Sequence, residues 1–136
     1  MAEIKDIEPR ALGEKIVEVL YRKKGKAIEL INVEEQTSLT EFYVIATGNS
    51  RTQIGALCDE VDVKLTEWGC PPYKVEGRGN GTWELLDFGS VVVHIFSRES
   101  RDFYKLDNLW ADAEKIDVTP IFDRIDAENA DLSEKI

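Results

Sequence analysis

Four stretches of this chain carry residues that could do chemistry. His94 is the only histidine among 136 residues. It stands between Val93 and Ile95, with no second histidine or cysteine nearby to share a metal and no serine placed as a nucleophile. It therefore reads as a packed or contact histidine rather than a catalytic one. Asp87-Phe88-Gly89 copies the metal-holding tripeptide of protein kinases, but no catalytic loop or glycine-rich loop accompanies it. A tight turn in which Gly89 takes a positive φ explains it better. Gly77-Arg78-Gly79-Asn80-Gly81 has the glycine density of a phosphate loop, yet it leads into a strand at Trp83. Phosphate loops lead into a helix whose free amides face the anion, so these glycines predict a hairpin or linker.

Thr47-Gly48-Asn49-Ser50 carries more weight. A strand, Gly-x-Ser and then a helix is how nucleotidyltransferases present amides to a triphosphate. That reaction also needs two or three carboxylates converging on magnesium. The Asp-x-Asp expected on the following strand is missing; Asp59 and Asp62 lie within the helix and Asp87 stands alone. A residual nucleotidyltransferase is thus the competing reading, with an active site that the sequence does not supply. No metal ligand set and no cofactor are indicated.

The elements that must position these residues follow from spacing. Pro9 opens a helix reaching about Lys24, with Leu12, Ile16, Val19 and Leu20 on one face and Gly25 as its stop. Ala27–Val33 alternates as a strand, and Glu41–Thr47 is apolar enough for a strand covered on both faces. Ser50 and Gln53 have capping-box spacing. After them Ile54, Leu57, Cys58, Val61, Leu65 and Trp68 share a face until Gly69 and the Pro71-Pro72 pair. Trp83, Leu85 and Asp87 then alternate with Glu84 and Leu86, while both faces of Val91–Phe96 are apolar. Ser97 can cap a short helix carrying Arg101 and Tyr104. This order predicts a single α/β domain with a mixed β-sheet flanked by helices. A crossover is expected to link the strand ending at Thr47 to the strand near Trp83.

Aromatic residues concentrate from Trp83 to Trp110, and Phe88 falls where a turn is normally polar. Core packing accounts for Phe103, Leu106, Leu109 and Trp110 as readily as contact does, but it explains an aromatic at a turn tip poorly. A second apolar face that meets another molecule is expected.

Composition limits what that molecule is. The net charge of −10 opposes a free-standing nucleic-acid binder and favours a basic protein partner. From Ala111 onward eight acids and three bases give −5, half of the total. Residues 114–136 are expected to form a solvated, flexible acidic tail with a short apolar patch at Ile121 and Phe122, leaving residues 1–113 as the domain. The N-terminal residues lack a signal-peptide pattern, no apolar run is long enough to span a membrane, and Cys58 and Cys70 form no CxxC pair. A cytoplasmic protein with reduced thiols is expected.

Several segments together resemble one family. They are Thr37-Ser38, the run from Glu41 to Gln53, Val75-Glu76-Gly77, Trp83, Leu86-Asp87-Phe88-Gly89 and Val92-Val93-His94-Ile95-Phe96, followed by Arg101, Phe103-Tyr104, Leu106 and Leu109-Trp110. In order and spacing they are similar to the ribosomal silencing factors, the RsfS or Iojap family. The likeness runs from about Pro9 to Ala113 and departs at Glu41, where the family usually has Asp. It implies a nucleotidyltransferase-like topology without transferase activity. It also implies binding to the large ribosomal subunit through its universal ribosomal protein fourteen, which would block joining of the small subunit and lower translation when nutrients are scarce. Carried onto this chain, the contact surface comprises Trp83, Phe88 and Tyr104 as aromatic anchors and Asp87 and Arg101 as charged partners, with His94 and Leu106 as further contacts. The family also implies a homodimer in isolation, competing for the same surface.

Overall fold

The computed structural model describes residues 6–103, 108 and 110–134. The first helix, α1 (Pro9–Arg22), has proline in its first turn, where a missing amide costs nothing, and buries Leu12, Ile16, Val19 and Leu20. Its end is tighter than its sequence suggests. Lys24 takes the left-handed conformation with φ of 71°, and the Gly25 amide donates back to the Leu20 carbonyl at 2.8 Å.

Two strands follow, β1 (Lys26–Asn32) and β2 (Phe42–Gly48), and then α2 (Arg51–Glu67). The cap forms, with its return bond displaced by one residue to the amide before the N-cap. The Gln53 amide donates to Ser50 Oγ at 3.0 Å, and the Gln53 side-chain oxygen accepts from the Asn49 amide. Gly48 lets this helix start against the sheet, since a Cβ there would come within 2.6 Å of Ile54 Cγ1. Next come β3 (Lys74–Glu76), β4 (Trp83–Asp87), β5 (Val91–Ser97) and α3 (Arg98–Phe103), whose Ser100 amide donates to Ser97 Oγ at 3.1 Å. The glycine-rich segment 77–81 joins β3 to antiparallel β4, as a hairpin loop should.

The described residues form one six-stranded sheet in the order β3-β4-β5-β2-β1-β6, where β6 is Glu114–Ile116. The β2–β5 pair is parallel and every other pairing is antiparallel. This corrects the expected crossover. The chain leaves β2 through α2 and returns to β2's side with β5, because β4 pairs antiparallel with β5 one position further out. Helices α1 and α2 cover one face. Beneath them Leu30, Val44, Val91, Val93, Ile95 and Leu86 join the helix side chains in the main core.

The acidic C-terminal segment is also not a loose tail. It supplies β6 and a sixteen-residue helix, α4 (Thr119–Glu134), whose start is held by an Asp117 carboxylate accepting from the Thr119 amide. Ile121 and Phe122, the apolar patch seen in the sequence, pack on the main core, where Phe122 stacks on Tyr21 of α1 at 4.2 Å between centroids, and Ile125, not singled out there, is buried with them. Around that contact Tyr21 donates to Asp126, Arg22 pairs with Glu128 at 2.7 Å, and Arg124 pairs with Glu18 at 3.2 Å. The acids are solvated on one side only. Among the described side chains of α4 the charged groups are exposed while Ile125 is buried and Ile121 and Phe122 are half-buried, a one-sided pattern that composition alone does not separate from a tail.

Phe88 is corrected as well. The two-residue turn between β4 and β5 closes with the Phe88 amide donating to Val91 at 2.9 Å, Gly89 at φ of 85° and Asp87 Oδ1 accepting from the Gly89 amide at 2.7 Å. This geometry folds the ring over the end of the main core, and Phe88 is only 5% exposed. Phe88→Ala should therefore cost about 3–5 kcal/mol of stability. A urea midpoint indistinguishable from wild type would contradict that placement.

Candidate functional site

Strand alternation and register put one set of residues on the sheet face opposite α1 and α2. Trp83, Leu85 and Asp87 of β4 pair with Phe96, His94 and Val92 of β5, which in turn pair with Thr47, Ile45 and Tyr43 of β2. Half of this face is closed. Ile31, Val33, Ile45 and Phe96 pack with Ala113, and Tyr43 and Trp110 lean on that cluster. The other half is open. Trp83 is 39% exposed, Leu85, Val92 and Tyr43 are half-buried, and a Lys74–Glu76 pair at 3.1 Å borders them with Asp87.

His94 organises the rings. It is 6% exposed, and its Nδ1 accepts from the Trp83 indole at 3.1 Å. Tyr43 meets it edge-on at 4.8 Å between centroids, and Phe96 lies parallel to it at 5.8 Å. Trp83 itself tilts over Phe96 at 4.8 Å. Because Nδ1 is the acceptor, the neutral ring carries its proton on Nε2, which is buried without a hydrogen-bond partner among the described residues. Burial drives the imidazole pKa down to about 4, so the ring is neutral at physiological pH. The histidine packs between Tyr43 and Phe96 and gives the Trp83 indole its acceptor.

Arg101 is not a surface charge. It is 7% exposed, and its guanidinium donates to the Ala27 carbonyl at 2.8 Å and to Thr47 Oγ1 at 2.9 Å, with Glu29 at 3.5 Å. Ala27 has φ of 47° at an irregularity in the β1–β2 register. Arg101 thus ties α3 to a strained bulge in the sheet, where a carbonyl diverted from the ladder needs a donor. Of the two charged contacts that the resemblance implies, Asp87 and Arg101, the buried Arg101 is therefore committed inside the fold. Asp87 keeps one carboxylate oxygen on the turn and stays half-exposed. Tyr104 and Leu106 lie outside the described residues.

Tyr43, Leu85 and Val92 complete the open face and were not singled out in the sequence. Tyr43 sits in an apolar run that reads as buried on both sides; its phenol, which tolerates a half-wet position, was the available signal. On the opposite face Glu84 is 1% exposed next to Cys58 under α2, and among the described residues neither carboxylate oxygen has an oxygen or nitrogen donor in hydrogen-bond geometry, leaving the Cys58 thiol as its polar neighbour. Burial, reinforced by that carboxylate, pushes the Cys58 thiol up to about 12 and keeps it unreactive.

The glycine-serine start of α2 offers little to a triphosphate. Its capping box engages the Asn49 and Gln53 amides, and Asp59 and Asp62 both pair with Arg78. No group of three His, Cys, Asp or Glu side chains is placed to hold a metal among the described residues. None of the described helices is long and apolar enough to cross a membrane.

Two outcomes follow from this geometry. The folded state resists protonating His94, so the protein binds fewer protons folded than unfolded between about pH 4 and 6.5. Stability is full above 6.5 and declines toward 4 by about 3 kcal/mol. His94→Phe should flatten the urea midpoint across that window, and the single histidine resonance should titrate near pH 4. Arg101→Met should cost about 2–4 kcal/mol by leaving the Ala27 carbonyl and the Thr47 hydroxyl without this donor and Glu29 with Lys115, measured by the same denaturation.

Comparison with known proteins gives one answer. The profile described as "Ribosomal silencing factor during starvation" matches residues 6–135, including β6 and α4. The ribosomal silencing factor RsfS of Chromobacterium violaceum is 38% identical over 104 residues, covering 76% of this chain and 85% of that protein. That of Haemophilus influenzae is 34% identical over 101 residues, covering 74% and 99%. A crystal structure of a Chromobacterium violaceum protein superimposes with a TM-score of 0.74 at 37% identity, over 77% of this chain and 88% of that one. The half-open aromatic face thus sits on a fold shared with these proteins, and the chain belongs to the ribosomal silencing factor family.

Proposed function

We propose that this protein binds the large ribosomal subunit through the open aromatic face and thereby prevents the small subunit from joining, with no catalytic step. The observation that carries the reading is Trp83, a large indole held by His94 and left 39% exposed on the open face of the sheet. Aromatic residues anchored in this way supply much of the energy at protein interfaces, because they bury large area with few rotors to freeze. Leu85, Val92 and Tyr43 share its face of the sheet, and Lys74, Glu76 and Asp87 form a polar rim.

The contacted component is a basic ribosomal protein, the universal protein fourteen that the family resemblance implies. A chain of net charge −10 is drawn to basic protein surface and repelled by phosphate. Blocking is steric and needs no cofactor. The action is cytoplasmic, and a homodimer formed through the same face when the protein is free would compete with ribosome binding. Phe88 and Arg101 take no part as contacts, since both are internal.

Trp83→Ala tests the assignment. The fold should survive, because the side chain lies at the margin of the second core, and binding to purified large subunits should weaken by about 30-fold or more, as loss of an interface hot spot requires. Co-sedimentation equal to wild type would remove the aromatic face from the mechanism.

A further inference from the structure

The net charge of −10 is not spread evenly along the sheet. Glu34, Glu35, Glu41, Asp112 and Glu114 gather at the end where β1 stops and β2 starts. The opposite end is basic. There Lys26 of β1 pairs in register with Thr47, and Gly48 of β2 pairs with Ser97 of β5. Lys23 and Lys24 follow α1 just before Lys26, Arg51 opens α2 after Gly48, and Arg98 opens α3 after Ser97. Neighbouring strands lie about 4.8 Å apart, so the backbones of Lys26 and Arg98 are separated by about two strand spacings.

Three observations distinguish this rim from scattered surface cations. Lys23, Lys24, Lys26, Arg51 and Arg98 are all exposed, and none forms an ion pair among the described residues. Neighbouring acids are engaged elsewhere: Asp126 by Tyr21, Glu128 by Arg22, and Asp59 and Asp62 by Arg78. Glu99 and Asp102 of α3 are the acids left beside it. Second, Arg51 and Arg98 stand in the first turn of their helices, the positive end of the dipole, where a cation is unfavourable. Third, Lys24 holds φ of 71°, a left-handed position at which helices usually end on glycine. Its carbonyl accepts from the Gln53 side chain at 3.0 Å, which fixes it beside the first turn of α2. Cations kept where folding disfavours them point to a use for their charge.

We propose that this rim contacts the phosphate backbone of RNA without reading its sequence. Lys23, Lys24, Lys26, Arg51 and Arg98 would supply the neutralising charge. None of the exposed large apolar side chains belongs to these segments, so a protein segment would find charge there but no anchor. A phosphodiester chain needs only the charge. The acidic end does not forbid it. The seven residues of β2 span about 23 Å, nearly three screening lengths of about 8 Å at physiological salt. The rim also adjoins the aromatic face, because the Ser97 amide donates to the Thr82 carbonyl, next to Trp83, at 2.9 Å. That the phosphate chain is RNA and not DNA rests on the ribosomal reading; the cationic rim does not.

The test is a fluorescence anisotropy titration of the full chain against a labelled RNA hairpin in about 50 mM salt. Saturable binding is expected, weakening steeply as salt is raised. Lys26→Gln with Arg98→Gln should weaken it about tenfold and make log affinity against log salt shallower by about two. The charge-matched pair Arg10→Gln with Lys64→Gln, on the outer helices, should change it by less than about twofold. Lys24→Gly should weaken binding about threefold without lowering the urea midpoint, because glycine fits the left-handed position. Equal weakening by both pairs, absence of saturation, unchanged affinity in Lys24→Gly, or equally tight binding of poly-glutamate would overturn the proposal. No ribosome enters this assay, so its failure is distinguishable from failure of Trp83→Ala to lose large subunits.

Discussion

A six-stranded sheet has two faces, and this chain covers one of them fully and the other in part. Everything else in the molecule follows from that shortage. The strands at the centre, β2 and β5, are apolar on both sides because each must contribute to the main core and to the smaller cluster behind it. Helices α1 and α2 seal the first side, and α4 extends the seal across α1. On the second side the packing of Ala113 and Trp110 reaches only as far as Tyr43 and His94. The β4 half is left with rings and aliphatic groups facing water, which a partner can bury at a gain of about 25 cal/mol per Å² of apolar surface.

Polar groups inside the fold hold that half-open face in one shape. His94 is costly to bury, yet as a neutral ring it gives the Trp83 indole a fixed acceptor and fills the space between Tyr43 and Phe96. Arg101 ties α3 to the β1 bulge with donors that the diverted Ala27 carbonyl and the Thr47 hydroxyl need. Neither residue touches the open surface much. Each restricts the motion of groups that do, and a preorganised surface loses less entropy on binding than a mobile one.

The sequence disclosed the framework where local rules act alone. The Ser50–Gln53 cap, the positive φ of Gly89, the Ser97 cap and the shared side of Trp83, Leu85 and Asp87 are all set within a few residues, and all are found. It misled where tertiary context decides. A phenylalanine in a turn looked exposed because turns usually are, but the β4–β5 turn lies at the end of the core and tucks Phe88 inside. An arginine on a short helix looked available because guanidinium groups seldom bury, but its acceptors lie far off in the sequence, at the Ala27 bulge of β1 and at Thr47 of β2, seventy-four and fifty-four residues before it. The three-residue strands β3 and β6 carry too short a pattern to register, and the acids of α4 masked an apolar stripe of three residues. Family likeness, in contrast, was readable through motif order, because it draws on many positions at once.

The central claim is that this molecule keeps ribosomal subunits apart by occupying one of them. A sucrose-gradient profile of purified large and small subunits, mixed under joining conditions with and without the protein, tests it most directly. The account predicts a dose-dependent shift from joined particles to free subunits, with the protein travelling in the large-subunit peak. An unchanged profile at saturating protein, or a shift with the protein found on the small subunit, would contradict it.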